Sequence, residues 1–322
     1  MPKRSLLQYL IITLKGLAMG AADIVPGVSG GTIALIAGFY EELLETIDGL
    51  DFKFFKKWRE NGFLTTWREY NLSFLLALGI GIVTSILLLA KVIGSLIDSH
   101  PILVWSFFFG LVLASILYLI KQLEKWNAAV IVSIVVASIF AFGISSLNPL
   151  TEIDSVWFLF VAGFIAIIAM ILPGISGAFI LILLGAYQPV INLINQLNQS
   201  ISEGDSTLLL QSISKIAVFL LGAAIGLKAF SRALTWMFNH HKNITLAILT
   251  GFMIGALNKI WPWKEVLETR LNSKGEEVPF IEQSVLPSNF VEPQLTSALI
   301  CLVGGFLIIF ILEKIATSKN TR

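Results

Sequence analysis

The chain has 322 residues, of which 56% are hydrophobic and 13% charged, and its mean hydropathy is +0.84. Soluble domains carry about 25% charged residues, so this composition excludes an ordinary soluble fold and predicts helices that cross a membrane several times. The net charge of +1 excludes a broad basic surface for nucleic acid, and the single cysteine, Cys301, provides neither an internal disulfide nor a cysteine-based metal site. We therefore expect an all-α polytopic membrane protein without a nucleic-acid partner, a metal or a cofactor.

The first apolar region, at about 5–40, is interrupted by ADIVPGVSGGT at residues 22–32. Proline removes a backbone donor and glycine permits an abrupt turn, and the freed backbone groups are tolerated in a bilayer only where protein or a wet cavity covers them. The pattern predicts a broken, re-entrant hairpin that turns at Pro26 and Gly27. The charged linker that follows, at 41–72, contains aromatic residues and predicts one or two helices on the membrane surface.

Long apolar runs predict six full crossings of a hydrocarbon core about 30 Å thick. They lie at roughly 73–97, 102–120, 128–147, 207–228, 244–260 and 296–313. Between the third and fourth runs, a second broken region at about 156–195 reads AMILPGISGAF at residues 169–179. It predicts a second re-entrant hairpin, which turns at Pro173 and Gly174. Residues 261–295 then form a loop.

The two broken regions are copies of each other. Placing residue 22 on residue 169, an offset of 147, aligns PGVSGG with PGISGA without a gap. Further along, at an offset of 141, Lys91, His100 and Gly110 fall on Arg232, His241 and Gly251. The repeat predicts two domains, 1–147 and 148–322, and each is a broken hairpin followed by three spans.

The distribution of lysine and arginine predicts the orientation of the two domains. Basic residues concentrate at both termini, in the linker, after the second span and between the fourth and fifth spans, whereas 98–101, 148–155 and 196–206 carry none. By the positive-inside rule both termini are cytoplasmic and the two domains have opposite orientations. Such inverted repeats are typical of secondary transporters, which bind substrate where broken helices meet near the midplane. The loop at 261–295 is then external, although Lys259 precedes it and it contains Lys264, Arg270 and Lys274.

Small and hydroxyl residues follow each turn, where helix amides lack internal partners and the helix dipole is positive. This arrangement suits an anion such as phosphate. Basic residues at repeat-related or membrane-depth positions add positive charge. The candidate phosphate-binding residues are Ser29, Gly30, Gly31, Thr32, Ser176, Gly177, Arg232, Lys91 and Lys15. Close helix packing by the small residues and interfacial anchoring by the cations are the structural alternatives.

Two carboxylates near the first motif are candidates for proton coupling. Asp23 precedes the turn, and Glu41 closes the hairpin at the predicted cytoplasmic mouth. An ionisable group inside a membrane commonly lies on a proton or ion pathway. For Asp23, neutralisation of Lys15 or capping of the broken arm is the alternative.

Four stretches resemble a known family over nearly the whole chain. MGAADIVPGVSGGTIALIAGFYEELL, ILPGISGAFILILLGAY, FSRAL and GFMIGALNKIWPWK look like the bacterial polyprenyl-phosphate translocases called PopT. The resemblance implies return of undecaprenyl phosphate from the outer to the inner leaflet of the plasma membrane, so that this carrier of cell-wall sugars is reused. It also implies two re-entrant hairpins, as in the DedA-type translocases. The resemblance does not imply which residues hold the phosphate.

Two other functions share parts of the pattern. Polyprenyl-pyrophosphate phosphatases also use inverted re-entrant hairpins and a Pro-Gly-x-Ser motif, but their chemistry needs a basic residue beside the serine and a cluster of acids. Here Gly30 follows Ser29 and Gly177 follows Ser176, and the apolar runs contain no acidic cluster. A transporter of small anions or other solutes is the second alternative, because an anion site in apolar surroundings does not by itself exclude it. The oligomeric state is not indicated by the sequence.

Overall fold

The computed structural model describes residues 4–25, 29–51, 53–147, 155–271, 277–290 and 292–317. Its α-helices are, in chain order, α1 (Leu6–Ile24), α2 (Gly30–Ile36), α3 (Tyr40–Gly49), α4 (Lys53–Asn61), α5 (Phe63–Glu69), α6 (Leu72–Ser99), α7 (Pro101–Gln122), α8 (Ala128–Ser145), α9 (Val156–Ile171), α10 (Gly177–Leu183), α11 (Tyr187–Glu203), α12 (Ser206–Ala256) and α13 (Leu295–Thr317). A 3-10 turn at Leu257–Ile260 leads from α12 towards strands β1 (Lys264–Leu271) and β2 (Glu277–Ser284). The fold is therefore mostly helical, as predicted.

Five helices in the described ranges are long and apolar enough to cross a membrane, or six if the bent pair α10 and α11 counts as one span. Helices α6, α7 and α8 match the first three predicted crossings. Their surfaces expose large apolar side chains such as Leu87 and Ile139, which are rare on a soluble protein and suit contact with lipid. The protein is a multi-pass membrane protein.

The first broken region differs from its prediction. The fourth and fifth predicted crossings lie on either side of a break at His241, where the torsions are non-helical and the two parts of α12 are joined directly. Helix α1 has 19 residues and is long enough to cross a membrane by itself, whereas the sequence predicted one arm of a re-entrant hairpin. In the second broken region, α10 and α11 meet at an angle of 106°. The linker at 41–72 forms the short helices α3, α4 and α5, of which α3 is packed against α12.

Helix contacts recur at the offsets of the sequence repeat. A β-carbon on Gly16 would lie 2.2 Å from the carbonyl oxygen of Leu78, and one on Gly163 would lie 2.2 Å from the carbonyl oxygen of Phe219. These pairs bring α1 against α6 and α9 against α12 at distances that only glycine allows. The breaks at His100 and His241 also have nearly the same torsions, with φ −139° at both residues and ψ 54° and 44°.

The remaining long helices pack across the two halves. Helix α7 lies on α13, and α8 lies on α12. A β-carbon on Gly110 would meet the carbonyl oxygen of Leu302 at 2.0 Å, and one on Gly251 would meet that of Ile134 at 2.5 Å. Helices α7 and α8 of the first half of the chain therefore pack on helices α13 and α12 of the second half.

The buried core is divided unequally between the two breaks. All seven residues of α2 are buried, and they belong to or adjoin a large apolar cluster with α3, α7 and α12. The buried apolar residues of the second break, Ala169, Ile175, Ile180 and Leu183, form a small separate cluster. Among the described residues, the first break is therefore the more firmly packed one.

The segment predicted as a loop at 261–295 contains an antiparallel pair of strands. Lys264 pairs with Ser284 at one end of the pair and Leu271 pairs with Glu277 at the other. Indole nitrogens anchor its base, since Trp261 Nε1 donates to the carbonyl oxygen of Val285 at 2.8 Å. Long connections without structure are uncommon in compact proteins, and here strand pairing satisfies the backbone.

Candidate functional site

The two Pro-Gly breaks contact each other. The Ser29 hydroxyl donates to the carbonyl oxygen of Met170 at 3.1 Å, and the Gly174 amide donates to Thr32 Oγ1 at 3.2 Å. Both hydroxyl residues come from the first motif and both backbone partners come from the second. The hydroxyls are buried, with Ser29 1% and Thr32 0% exposed. The structure therefore brings the two motifs together through hydrogen bonds within an apolar core.

The approach of the two backbones depends on Gly31. A β-carbon on this residue would lie 2.2 Å from the carbonyl oxygen of Ile171, which is far inside van der Waals contact. The same oxygen accepts a hydrogen bond from the Tyr40 hydroxyl at 3.1 Å. The first motif is thus closely packed on the end of α9.

The start of α2 is capped by groups of the chain itself. Asp23 Oδ1 accepts the Gly30 amide at 2.7 Å, and Ser29 Oγ accepts the Gly31 amide at 3.1 Å. Oxygen acceptors at a helix start satisfy amides that have no intrahelical partner. Asp23 Oδ2 is buried and has no hydrogen-bond partner among the described residues. In this conformation the amides predicted to face a phosphate are therefore bonded to Asp23 and Ser29, and Asp23 has the capping position that was its structural alternative.

The second break lacks this carboxylate, because Met170 occupies the position that corresponds to Asp23. Ser176 is 6% exposed, and its hydroxyl forms no hydrogen bond with the described residues. Gly177 lies against α9, where an added β-carbon would be 2.8 Å from the carbonyl oxygen of Ala166. Ser29 and Ser176 are equivalent in the sequence repeat, but among the described residues only the Ser29 hydroxyl forms hydrogen bonds.

The second break contains both of its predicted turn residues. Pro173 is buried, and Gly174 has φ +85°, a left-handed conformation that favours glycine. Pro26 and Gly27, the predicted turn of the first break, lie outside the described residues.

The predicted cations occupy different positions in this conformation. Lys15 Nζ donates to the carbonyl oxygen of Ala37 at 2.5 Å, at the end of α2 opposite to Ser29. Lys91 and Arg232 are exposed, and no hydrogen bond or ion pair joins them to the described residues of either motif. A cation at the carboxyl end of a helix stabilises the helix dipole, so Lys15 has a structural role in this conformation.

Ion pairs hold α3 on several sides. Arg4 pairs with Glu42 at 2.5 Å, Lys242 with Glu41 at 2.7 Å, and Lys228 with Asp48 at 3.5 Å. Glu41, a candidate for proton coupling, is thus exposed and paired with the middle of α12. These pairs connect the segment after the first break to the N-terminal region and to α12.

A cationic group that the sequence analysis did not single out lies beside the second break. Lys264 Nζ is 3.5 Å from Glu282 Oε2, and Lys259 Nζ is 3.9 Å from the same oxygen. Lys264 is 7% exposed, and its Nζ lies 3.8 Å from the centroid of the Trp105 ring. Lys259 Nζ lies 4.7 Å from the centroid of the Phe179 ring in α10. We call Lys259 and Lys264 the lysine pair.

Burial lowers the pKa of Lys264 to about 8, and the neighbouring Glu282 carboxylate opposes this effect. The ammonium group is therefore protonated at pH 7 and loses its proton as the pH rises through 8. The sequence signal for the lysine pair was the segment IWPWK, which is equally typical of an aromatic belt at the membrane surface. A cavity of about 410 Å³ lies on the same segment, lined mainly by apolar side chains such as Phe109, Trp261 and Leu286.

Comparison with known proteins identifies the family. Residues 19–278 match the family model described as undecaprenyl phosphate translocase-like. The chain belongs to this family. The resemblance that the paired motifs indicated is thereby confirmed.

Two relatives of this translocase-like chain are named polyprenyl-phosphate transporter. The protein of Vibrio cholerae is 43% identical over 317 residues, which cover 96% of this chain and 98% of the relative. The protein of Staphylococcus aureus is 30% identical over 261 residues, which cover 77% of this chain and 85% of the relative. No solved structure gives a significant match to the chain.

Proposed function

We propose that this protein is a transporter that returns undecaprenyl phosphate, or a closely related polyprenyl phosphate, from the outer to the inner leaflet of the bacterial plasma membrane. The carrier is then available again for cell-wall synthesis. The family and the names of both relatives support a transporter and not an enzyme. The Vibrio relative supports it most strongly, because the alignment covers nearly all of both chains.

The contact between the two breaks is the observation that carries the proposal. A lipid phosphate needs polar groups at membrane depth, while its prenyl chain stays in lipid. Buried hydroxyl and amide groups are costly in an apolar core unless they are hydrogen-bonded, and the bonds of Ser29 and Thr32 to the second motif satisfy this requirement in the absence of substrate. The headgroup passes between the breaks by exchanging these bonds for bonds to phosphate oxygens.

The candidate residues have different parts in this path. Ser29, Thr32 and Ser176 supply hydroxyls, while Gly30, Gly31 and Gly177 let the backbone approach the headgroup closely. Lys91 and Arg232, which are exposed on the long helices α6 and α12, attract the anionic headgroup at the two membrane surfaces. Lys15 holds the far end of α2 in place.

The architecture of the proposal is a pair of inverted repeats, 1–147 and 148–322, with two re-entrant hairpins and both termini in the cytoplasm. The recurrence of the Gly16 and Gly163 contacts at the repeat offsets supports the repeat. The distribution of basic residues along the sequence supports the opposite orientations. In such transporters the substrate site lies between the repeats and opens to either side in turn.

The test is leaflet exchange in reconstituted vesicles. Purified protein is inserted into liposomes that contain labelled undecaprenyl phosphate, and the label accessible from outside is followed with time, with and without an imposed proton gradient. We expect faster exchange than in protein-free vesicles, and no release of inorganic phosphate. Phosphate release without exchange would identify an enzyme, and the absence of exchange under every gradient would refute the transporter.

Variants connect the exchange to the path. Ser176→Ala and Thr32→Val remove hydroxyls at the breaks and are expected to slow exchange by about fivefold, which is the effect of one hydrogen bond of roughly 1 kcal/mol. Ser214→Ala is the matched control, because its exposed hydroxyl bonds only to the carbonyl oxygen of Gln211 on its own helix.

A further inference from the structure

The lysine pair has an excess of positive charge. Two ammonium groups share one carboxylate oxygen, at 3.5 and 3.9 Å, and both distances exceed the 2.7–2.9 Å of a strong charged hydrogen bond. No other acidic side chain in the described ranges pairs with Lys259 or Lys264. Removing a lysine from water is unfavourable unless an anion compensates for the lost hydration. Among the described residues, Glu282 therefore compensates for only one of the two positive charges.

The lysine pair adjoins the second break. A β-carbon on Gly174 would lie 3.0 Å from the Cα of Met253 and 3.1 Å from the Cβ of Ala256, so this break packs on the last turn of α12. Lys259 follows in the next turn. Its Nζ lies over the ring of Phe179, three residues after Ser176.

We propose that Lys259 and Lys264 form the site that first binds the phosphate monoester headgroup of the transported lipid, on the outer side of the second break. This inference rests on the proposed function and on its topology, in which the segment after α12 is external. The ring of Trp105 borders the ammonium group of Lys264, and the ring of Phe179 borders that of Lys259. Ser176 then receives the headgroup from the lysine pair.

Glu282 takes the place of the substrate when the site is empty. Its carboxylate keeps both lysines paired, and it competes with the incoming phosphate. A phosphate monoester carries a charge between −1.5 and −2 at pH 7 and has three strong acceptor oxygens, so it can bind both ammonium groups at once. The single carboxylate oxygen between the lysines does so only at long distance.

Direct binding tests the site. The full-length protein is placed in nanodiscs, and the affinity for labelled undecaprenyl phosphate is measured at pH 7. We expect Lys259→Gln and Lys264→Gln to weaken binding by about ten- to hundredfold, since each removes a charged hydrogen bond. The control is Lys121→Gln, which removes a lysine that lies 5.3 Å from the Phe310 ring at the other end of α7. Affinities of both test variants within twofold of the unchanged protein would overturn the site.

Two further variants separate binding from folding. Lys264→Arg keeps the charge and is expected to restore most of the affinity. Glu282→Gln removes the competing anion, so at pH 6.5 we expect it to bind the lipid more tightly than the unchanged protein. A purely structural triad predicts the opposite, namely loss of thermal stability in all variants and no gain in affinity in any.

Competition distinguishes a lipid headgroup from free phosphate. Farnesyl phosphate is expected to displace the labelled lipid, and inorganic phosphate is expected to displace it only at much higher concentration. Equal displacement by inorganic phosphate would assign the lysine pair to the free anion and overturn its role with lipid.

The pH dependence of binding provides an independent readout. Among the described residues, the groups that face Lys264 are Glu282 from β2, Lys259 from the turn after α12 and the Trp105 ring from α7. The second pKa of a phosphate monoester is about 6, so between pH 7 and 9 the ligand stays dianionic. Because the pKa of Lys264 is about 8, the affinity is expected to fall by about tenfold over this range, and Lys264→Arg is expected to abolish the fall. A flat profile for the unchanged protein would contradict the proposal.

Exchange measurements separate this inference from the proposed function. If the unchanged protein exchanges the lipid and Lys259→Gln does so with the same half-saturating lipid concentration, the lysine site is wrong and the transporter stands. If the unchanged protein binds the lipid through the lysine pair but does not exchange it, the site stands and the transporter is wrong.

Discussion

Replacement of Gly31 by alanine is the most direct perturbation of the contact between the two breaks. The new β-carbon would lie 2.2 Å from the carbonyl oxygen and 3.0 Å from the carbonyl carbon of Ile171. Both atoms belong to the backbone, so no side-chain rotation relieves the overlap. The two segments must separate by roughly 1 Å to reach ordinary contact.

The magnitude follows from the bonds that cross this contact. The Ser29 hydroxyl bonds to Met170 at 3.1 Å, Tyr40 bonds to Ile171 at 3.1 Å, and the Gly174 amide bonds to Thr32 at 3.2 Å. A separation of roughly 1 Å takes all three beyond hydrogen-bond distance, at about 1 kcal/mol each. We expect Gly31→Ala to destabilise the joined breaks by about 3 kcal/mol, which is more than a hundredfold in the equilibrium.

The assay combines leaflet exchange in vesicles with thermal unfolding in detergent. Gly31→Ala is expected to lower the melting temperature and to reduce the exchange rate at least tenfold. Gly94→Ala in α6 is the matched control, because a β-carbon there meets no other atom within 4 Å and alanine favours a helix by about 1 kcal/mol over glycine. Exchange and melting of Gly31→Ala at the level of the unchanged protein would refute the close packing of the breaks.

Three other predictions use the same measurements. Asp23→Asn keeps an oxygen that accepts the Gly30 amide, whereas Asp23→Ala removes this helix cap, so thermal unfolding should show a loss of about 1 kcal/mol for the alanine variant only. If exchange by Asp23→Asn still responds to the proton gradient, proton coupling through this residue is excluded. A double-mutant cycle on Glu41 and Lys242, both half-exposed, should give a coupling of about 0.2–1 kcal/mol that decreases with salt, and a value unaffected by salt would contradict an ion pair. Gly222→Ala places a β-carbon 2.1 Å from the carbonyl oxygen of Phe160 in α9 and should lower the free energy of unfolding by about 1–3 kcal/mol. Unchanged thermal unfolding would show that α9 and α12 are farther apart.

Much of the fold was accessible from the sequence because lipid imposes simple rules on it. Uninterrupted apolar runs predicted α6, α7 and α8, and the paired Pro-Gly motifs predicted where helices end. The strands β1 and β2 were not predicted, because their residues mix charged and apolar types without a regular alternation. Averaged hydropathy also could not show how the two parts of α12 are joined at His241, since a break within a helix and a short loop have the same composition.

The candidate site was only partly accessible for a different reason. Repeat alignment made Ser29 and Ser176 equivalent, but their environments depend on whether a carboxylate reaches the following amide. Asp23 does so at 2.7 Å in the first break, and Met170 cannot do so in the second. The lysine pair was missed because Lys259 and Lys264 come together with Glu282 only through strand pairing, which brings together residues that are far apart in the sequence.

The unequal packing of the two breaks bears on how the proposed transporter changes state. The first break is closed by buried hydrogen bonds and by ion pairs on α3, whereas the second has a small apolar cluster and a lysine pair with excess positive charge. Exposed ion pairs contribute only about 0.2–1 kcal/mol each, so opening on the side of α3 does not require a large free energy from them. A ligand shifts such an equilibrium only by its difference in affinity for the two states. The lysine pair supplies that difference if the headgroup moves away from the two lysines when the first break opens. Binding of phosphate, more than the strength of the ion pairs, then decides which side is open.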